Sequence, residues 1–538
     1  MQTKTLTYRA RWGLALVLAL GVWLLMQPLT AWACGGGVIC VDVDASSPTP
    51  DGLTWETAYP SLHTALSAAS AGNEIWVAEG VYTATSSFNL KSGVAVYGGF
   101  VATETQRTER DWQAHQTVLS GDIGQDDVYT GTLYTASWAD QRGANADHVV
   151  VADNVDATAR LDGFIVTAGS ATTHYGGGGI LNNYSTAGYY NLEVRGNQAP
   201  TYGGGMLNIH SSPHVENTLF DSNRVTPSDE YYYGGGMYNL YGGNSVLIHV
   251  TFNSNQALEG GGMSSGGGNP WLQDVTFSNN ATTGQGYGGG AYFHDNTNAT
   301  LKDVIFINNR AYVGGGLYAF RYGSLTMTNT TFIQNTVFDS GIRNSGGGLA
   351  AAGDIVINAT DVAFIGNTAG DSGGGAFIFD HSTLNLHNGL FQGNRAEYAS
   401  GGGGLHVYDY SRATLTNATF HGNWAYSTWG GAMATDYWAV ITVTNSILWG
   451  NGNSETYGGG IQVSYSDVQQ SSGVYPGTGN INSDPLFVAS IDATQAPTTT
   501  GDLHLLPTSP VIDAGNNDRV TVTNDLDGNP RRMDVAGI

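Results

Sequence analysis

From about Tyr175 to Gly460 the chain alternates short period-two runs with glycine-rich breaks. A segment such as Thr414-Leu415-Thr416-Asn417-Ala418-Thr419-Phe420 places apolar side chains at every second position, the pattern of a strand buried on one face. Two signatures recur in alternation. One is a glycine cluster followed by an apolar residue: Gly177-Gly178-Gly179-Ile180, Gly203-Gly204-Gly205-Met206, Gly234-Gly235-Gly236-Met237, then copies starting at Gly260, Gly288, Gly314, Gly346, Gly373, Gly402, Gly430 and Gly458. The other is Phe-x-x-Asn: Phe220/Asn223, Phe252/Asn255, Phe277/Asn280, Phe306/Asn309, Phe332/Asn335, Phe364/Asn367, Phe391/Asn394 and Phe420/Asn423. Degenerate copies stand at Val194/Asn197 and Leu448/Asn451.

Successive asparagines are 26, 32, 25, 29, 26, 32, 27, 29 and 28 residues apart. That spacing is too irregular for a helical-pair solenoid. It suits three strands of ~5 residues with three turns, the scatter being absorbed by loops at one corner. The expected fold is all-β, a right-handed parallel β-helix whose coils stack ~4.8 Å apart. Ten asparagine-marked coils make nine steps, roughly 43 Å of column. Stacking puts like on like. The phenylalanines form an inward ladder, and Asn223, Asn255, Asn280, Asn309, Asn335, Asn367, Asn394 and Asn423 form an amide ladder. The glycines serve positive φ or close backbone approach.

The ends depart from the repeat. Ser61 to Ala69 has helical spacing with Ser61 as N-cap, a short capping helix across the column. Irregular strands follow at Glu74 to Ala78 and Gly93 to Tyr97. The expected division is 1–33 export signal, 34–57 leader, 58–160 N-terminal cap and irregular coils, 161–466 regular coils of about 28 residues, and 467–538 a closing cap or anchor-proximal segment.

Composition narrows the function classes. With a formal net charge of −25 and three lysines, the chain lacks the clustered cations that hold phosphate backbones, so nucleic acid is excluded as a partner. Lys4, Arg9 and Arg11 precede an apolar run from Trp12 to Met26, and Ala31-Trp32-Ala33 has the small-x-small cleavage pattern. A membrane anchor is the competing reading, but the run is shorter than the ~20 residues a spanning helix needs. No later stretch is as apolar, so no span is expected in the mature chain, which is secreted or held at the cell surface. Cys34 and Cys40 form a small disulfide, remain free thiols, or offer Cys34 for lipid attachment; lipid is disfavoured because Ala31 stands where a leucine is usual.

At these residues the chain resembles bacterial extracellular β-helix proteins of the pectin-lyase-like fold. The glycine-cluster and Phe-x-x-Asn alternation is similar to repeats of chlamydial polymorphic outer-membrane proteins. Leu53-Thr54-Trp55-Glu56-Thr57-Ala58-Tyr59, Val96-Tyr97-Gly98-Gly99-Phe100 and Leu119-Ser120-Gly121-Asp122-Ile123 resemble the start of such secreted helices. Asp484-Pro485, Ser509-Pro510-Val511-Ile512-Asp513-Ala514-Gly515 and Asp525-Leu526-Asp527-Gly528-Asn529-Pro530 resemble the region before interchangeable C-terminal anchors. Two departures stand out: there is no stretch for an autotransporter barrel, and no closing apolar helix or sorting motif. The resemblance implies the fold and leaves the activity open, because this fold hosts lyases, hydrolases and adhesins. The signatures of polygalacturonase-type hydrolases are absent, the lysines a lyase base would draw on are almost gone, and the repeat arginines are scattered along the sequence.

Register supplies candidate chemistry. Five residues past the third position of each glycine cluster stand, among others, Asp295, Asp380, Asp409 and Tyr437. Asp380 and Asp409 then fall in adjacent coils ~5 Å apart, with Asp436 one residue out of register. Paired carboxylates suit a glycosidase, so these three are the catalytic candidates. Tyr408, Tyr410, Tyr437 and Trp438 are the glycan-binding candidates. Ca²⁺ is the one cofactor this acidic row suits, with Asp295, Asp525 and Asp527 as candidate ligands; an Asp-Gly turn is the competing reading of the last two. Tyr175, Tyr202, Tyr233, Tyr287 and Tyr457, with Trp429, are expected to stack. His294-Asp295 and Asp380-His381, as strand neighbours, are expected to point to opposite faces. The leading function is non-enzymatic display, adhesion or glycan binding, with an extracellular glycan or cell-surface partner. A polysaccharide-degrading enzyme comes second and a passive envelope element third.

Overall fold

In the computed structural model the described residues are 34–129, 131, 134–172, 176–226, 232–338, 344–398, 401–426, 428–520 and 522–532. Residues 1–33, where the export signal is expected, Tyr175 and residues 533–538 lie outside them.

The chain is an all-β parallel solenoid. A 21-stranded sheet of long strands runs from Val38–Val41 to Asp467–Val468, a 13-stranded sheet of shorter strands from Phe88–Asn89 to Thr456–Tyr457, and a 9-stranded sheet of two-residue strands from Gln198–Ala199 to Trp424–Ala425. Every pairing within these three sheets is parallel and joins a coil to the next, as in Thr300↔Thr326 and Leu317↔Leu349. The interior is one continuous apolar core reaching from Val41 to Val468.

The repeat signatures are its rungs. Phe220, Phe252, Phe277, Phe306, Phe332, Phe364, Phe391 and Phe420 stack with ring centroids 4.2–4.9 Å apart. Val194 and Leu448 pair with the first and last of them, as the degenerate copies require. Each ladder asparagine is buried, and its Nδ2 donates to the Oδ1 of the next at 2.8–3.0 Å. The same Nδ2 also donates to a carbonyl of the coil before, as Asn309 does to Phe277 at 2.8 Å. The last rung is not an asparagine: the Glu455 carboxylate accepts from the backbone N–H and Nδ2 of Asn451 at 3.1 and 2.6 Å.

The scatter in coil length sits at one corner. Nine residues separate Val246 from Asn255 and Thr326 from Asn335, and the same spacing recurs in the other regular coils. From the asparagine to the next short strand the chain takes 8 residues between Asn255 and Met263 but 14 between Asn223 and Met237 and between Asn335 and Leu349. The glycine clusters follow this corner. Their first member has positive φ, such as 64° at Gly260. The third lies where a Cβ would meet the next coil's backbone, 2.6 Å from Gly290 O in the case of Gly262.

The solenoid begins before the repeat does. Val38–Val41 pairs with Glu74–Ala78, and Cys34 and Cys40 are disulfide-bonded beside it. The helix Leu62–Ala68 buries Leu62, Ala65 and Leu66 in the common core; Ser61 occupies its N-cap but its side chain makes no capping bond. At the far end Tyr475 packs on the core. Beyond it the chain turns back along the outside of the column. The Ile491 N–H donates to His421 Nε2 (2.8 Å), Gln392 donates to Thr500 O (2.8 Å), and Asn445 and Asn388 donate to Asn516 O and Asn524 O (2.9 and 2.7 Å). Residues 490–520 and 522–524 therefore form a strap on the side of the column. Among the described residues no helix is long and apolar enough to cross a membrane.

Candidate functional site

After each short strand of the 13-stranded sheet the chain turns through one or two left-handed residues. They include Tyr184, His210, Tyr241, Asp295-Asn296, Arg321-Tyr322, Asp380-His381, Asp409-Tyr410 and Tyr437-Trp438, with φ between 46° and 65°. Gly267-Gly268 and Gly353 fill the same corner in other coils at no steric cost. A bulky aromatic there carries backbone strain of about 1–3 kcal/mol. Yet the five most exposed large hydrophobic side chains among the described residues all stand at this corner: Trp438 (80%), Tyr437 (66%), Tyr241 (61%), Tyr184 (59%) and Tyr322 (58%). Aromatic rings here cost backbone energy and bury little in return.

Asp380 and Asp409 occupy adjacent coils, since the His381 N–H donates to Asp409 O at 3.1 Å, and the Tyr410 N–H donates to Tyr437 O at 2.9 Å in the coil after. The carboxylates face histidines: Asp380 lies 3.2 Å from His381 Nδ1, and Asp436 lies 3.6 Å from the buried His406 Nε2. His381 stacks on Tyr410 with centroids 5.4 Å apart, and Tyr408 meets Tyr437 at 4.8 Å. Beyond these rings Asp436, Tyr437, Trp438, Tyr457 and Gly458 to Gly460 line a cleft of about 690 Å³. It opens where the 13-stranded sheet ends at Thr456–Tyr457, and a Cβ placed on Gly459 would meet nothing within 4 Å.

One expectation is overturned. His294 Nδ1 and Asp295 Oδ2 are 3.0 Å apart and Asp380 and His381 also meet, although neighbours in a strand point to opposite faces. Asp295, Asp380 and His381 have positive φ, so the alternation stops where the strand does. Around His294 lies a cluster whose members were mostly not singled out in the sequence. Its ring packs on Tyr233, Tyr238 and Tyr292 at centroid distances of 5.1, 6.2 and 4.7 Å. The Tyr233 hydroxyl bonds to Glu259, whose carboxyl burial pushes up to about 7; burial holds the His294 pKa below its ordinary value. The signal lay in register: Tyr238, Ser264, Tyr292 and Tyr318 are successive rungs on the outer face. Of the expected tyrosine stack, Tyr202 meets Tyr233 at 6.1 Å and Trp429 meets Tyr457 at 4.4 Å.

The calcium candidates are not brought together. Asp295 pairs with His294 and lies 3.9 Å from Arg321. Asp525 Oδ1 accepts the Asp527 and Asn529 N–H groups of its own turn, and Asp527 bonds to His504 at 2.8 Å. Among the described residues the one convergent acidic group is Asp122, Asp126 and Asp127. Its oxygens already accept bonds from Tyr129, Thr135 and the Arg142 N–H.

No family model and no curated protein matches the chain. Among solved structures it is similar to a crystal structure of pectate lyase Pel9A, at 15% identity and a TM-score of 0.32, over 92% of this chain and 96% of that one.

Proposed function

We propose that this chain is a non-enzymatic glycan-binding solenoid displayed outside the cytoplasm, with its principal contact at the cleft of Asp436, Tyr437, Trp438 and Tyr457. One observation carries the reading: exposed aromatic rings are concentrated at a strained corner where glycine serves as well. An indole or phenol face covers the apolar face of a sugar ring, and the neighbouring carboxylate takes its hydroxyls. Export rests on the N-terminal pattern ending at Ala33.

The test is a polysaccharide panel, with and without Ca²⁺, followed for bound polymer and for new chain ends. Trp438→Ala and Tyr437→Ala are each expected to weaken binding about 3- to 10-fold while the melting temperature is unchanged. Unaltered binding in the double variant would remove this cleft from consideration. New chain ends that disappear in Asp380→Ala/Asp409→Ala would replace the reading with a glycosidase.

A further inference from the structure

The long-strand sheet bears a second cleft on a face of the column away from the aromatic corner. Each long strand bends at one left-handed residue, among them Asn191, Asn217, His249, Asp274 and Asp303, with φ between 49° and 56°. The bend residues lie exposed or half-buried on the outer face. Its side chains form a ladder of their own: Asn217 Nδ2 donates to Asn191 Oδ1 at 2.6 Å, and Asn191 Nδ2 to Asp162 Oδ1 at 2.7 Å. Over the first coils the segment carrying Trp112 lies against this face, and a cleft of about 400 Å³ opens between Trp112, Asn191, Glu193, Asn217 and His249.

Trp112 is built in. A Cβ on Gly99 would come 2.5 Å from Trp112 Cα, and one on Gly163 3.0 Å from Trp112 Cβ, so two glycines let the tryptophan seat directly against the sheet. Arg110 pins the same segment, donating to Gly98 O at 2.9 Å, Asp162 O at 3.0 Å and Asp162 Oδ1 at 2.6 Å. The charges around the cleft are paired within the protein: Asp162 with Arg110 and Arg160, Glu193 with Arg195 at 3.1 Å, and His249 with Asp274 at 3.4 Å. A charged ligand would gain nothing and disturb those pairs. What remains is a tryptophan lining the same cleft as the side-chain amides of Asn191 and Asn217.

From this geometry we infer that the Trp112 cleft is a second glycan site, for a neutral oligosaccharide, which makes the solenoid bivalent. The inference rests on the glycan-binding reading above and adds a site to it. From the His214 strand to the Val440–Thr444 strand beside Trp438 is eight rungs, roughly 38 Å along the column. One short ligand cannot touch both clefts, whereas one polymer can, and linked sites raise avidity by roughly 10²–10⁴.

The full chain is titrated with neutral oligosaccharides that bind it, by calorimetry, and with the parent polymer. Wild type should take two equivalents of oligosaccharide, and Trp112→Ala and Trp438→Ala one each. Polymer affinity should fall at least roughly tenfold in either variant. Asn217→Gly keeps the positive φ and removes only the amide; it should weaken the same one equivalent and gives a readout should Trp112→Ala fail to fold. One equivalent in wild type that vanishes only with Trp438 overturns the second site and leaves the first. One equivalent that vanishes only with Trp112 sustains this site and removes the first. No binding of any neutral glycan overturns both.

Discussion

The ladder asparagine is the residue on which the column turns. An amide side chain has two acceptor and two donor positions, and each buried rung fills them: Asn309 Oδ1 accepts from the Asn280 N–H and Nδ2, while its Nδ2 donates to Asn335 Oδ1 and Phe277 O. The row needs an acceptor at its end, and Glu455 supplies one. Burial pushes the Glu455 carboxyl up to about 8, so the folded chain holds this proton more tightly than the unfolded one. The Glu455 contribution is therefore full below about pH 4.5 and is lost as pH rises from there to about 8. Glu455→Gln should remove that pH dependence from the urea midpoint while keeping an acceptor for Asn451. Glu455→Ala should cost about 1–3 kcal/mol because it leaves a buried donor unpaired. A midpoint falling equally with pH in the wild type and the Gln variant would refute the assignment.

At the scale of the coil, the residue before the ladder asparagine reports what lies over it. It has positive φ in every regular coil. It is glycine where another segment sits on the corner: Gly196 under Thr135, with a Cβ 2.9 Å from its carbonyl oxygen, Gly366 under Thr498 at 3.1 Å, and Gly422 under Ile491 at 2.8 Å. Across the coils between, it is Ser222, Ser254, Asn279, Asn308 and Gln334. The glycine clusters obey the same logic of approach. Gly262→Ala should cost several kcal/mol, since its Cβ would meet Gly290 O at 2.6 Å and Phe277 Cδ1 at 3.0 Å. Gly459→Ala, with open space around the added methyl, should change the unfolding free energy from urea denaturation by less than about 0.5 kcal/mol. Equal effects of the two would contradict the close-approach argument. The His294-Asp295 contact was not legible from patterning because alternation holds only inside a strand, and the left-handed residue that ends it carries no fixed sequence mark.

At the scale of the whole molecule, a solenoid is held by contacts between neighbouring coils, and only segments that run along its side tie distant coils together. The strap does this through His421. Its Nε2 accepts the Ile491 N–H and its Nδ1 donates to Trp449 O, so the ring binds the strap as a neutral imidazole. Burial holds its pKa below the ordinary value, and strap stability is present above about pH 6.5 and lost as pH falls below it. Limited proteolysis between 490 and 524 should accelerate on acidification in wild type and be insensitive to pH in His421→Gln; cleavage unchanged with pH in wild type would sink the latch. The all-β parallel solenoid, the phenylalanine and asparagine ladders, the degenerate terminal rungs and the corner that absorbs length were all determined by the sequence alone. Each follows from local alternation and from like stacking on like, and a one-dimensional repeat needs no more information than that. The tertiary structure decided where the strap lies, which coils stay open, that Glu455 closes the ladder and that Trp112 overhangs the Asn217 bend. The strap and Trp112 contacts join residues tens to more than a hundred positions apart, and the Glu455 contact, four residues from Asn451, breaks the repeat, so all lie outside any period and only the folded chain brings them together.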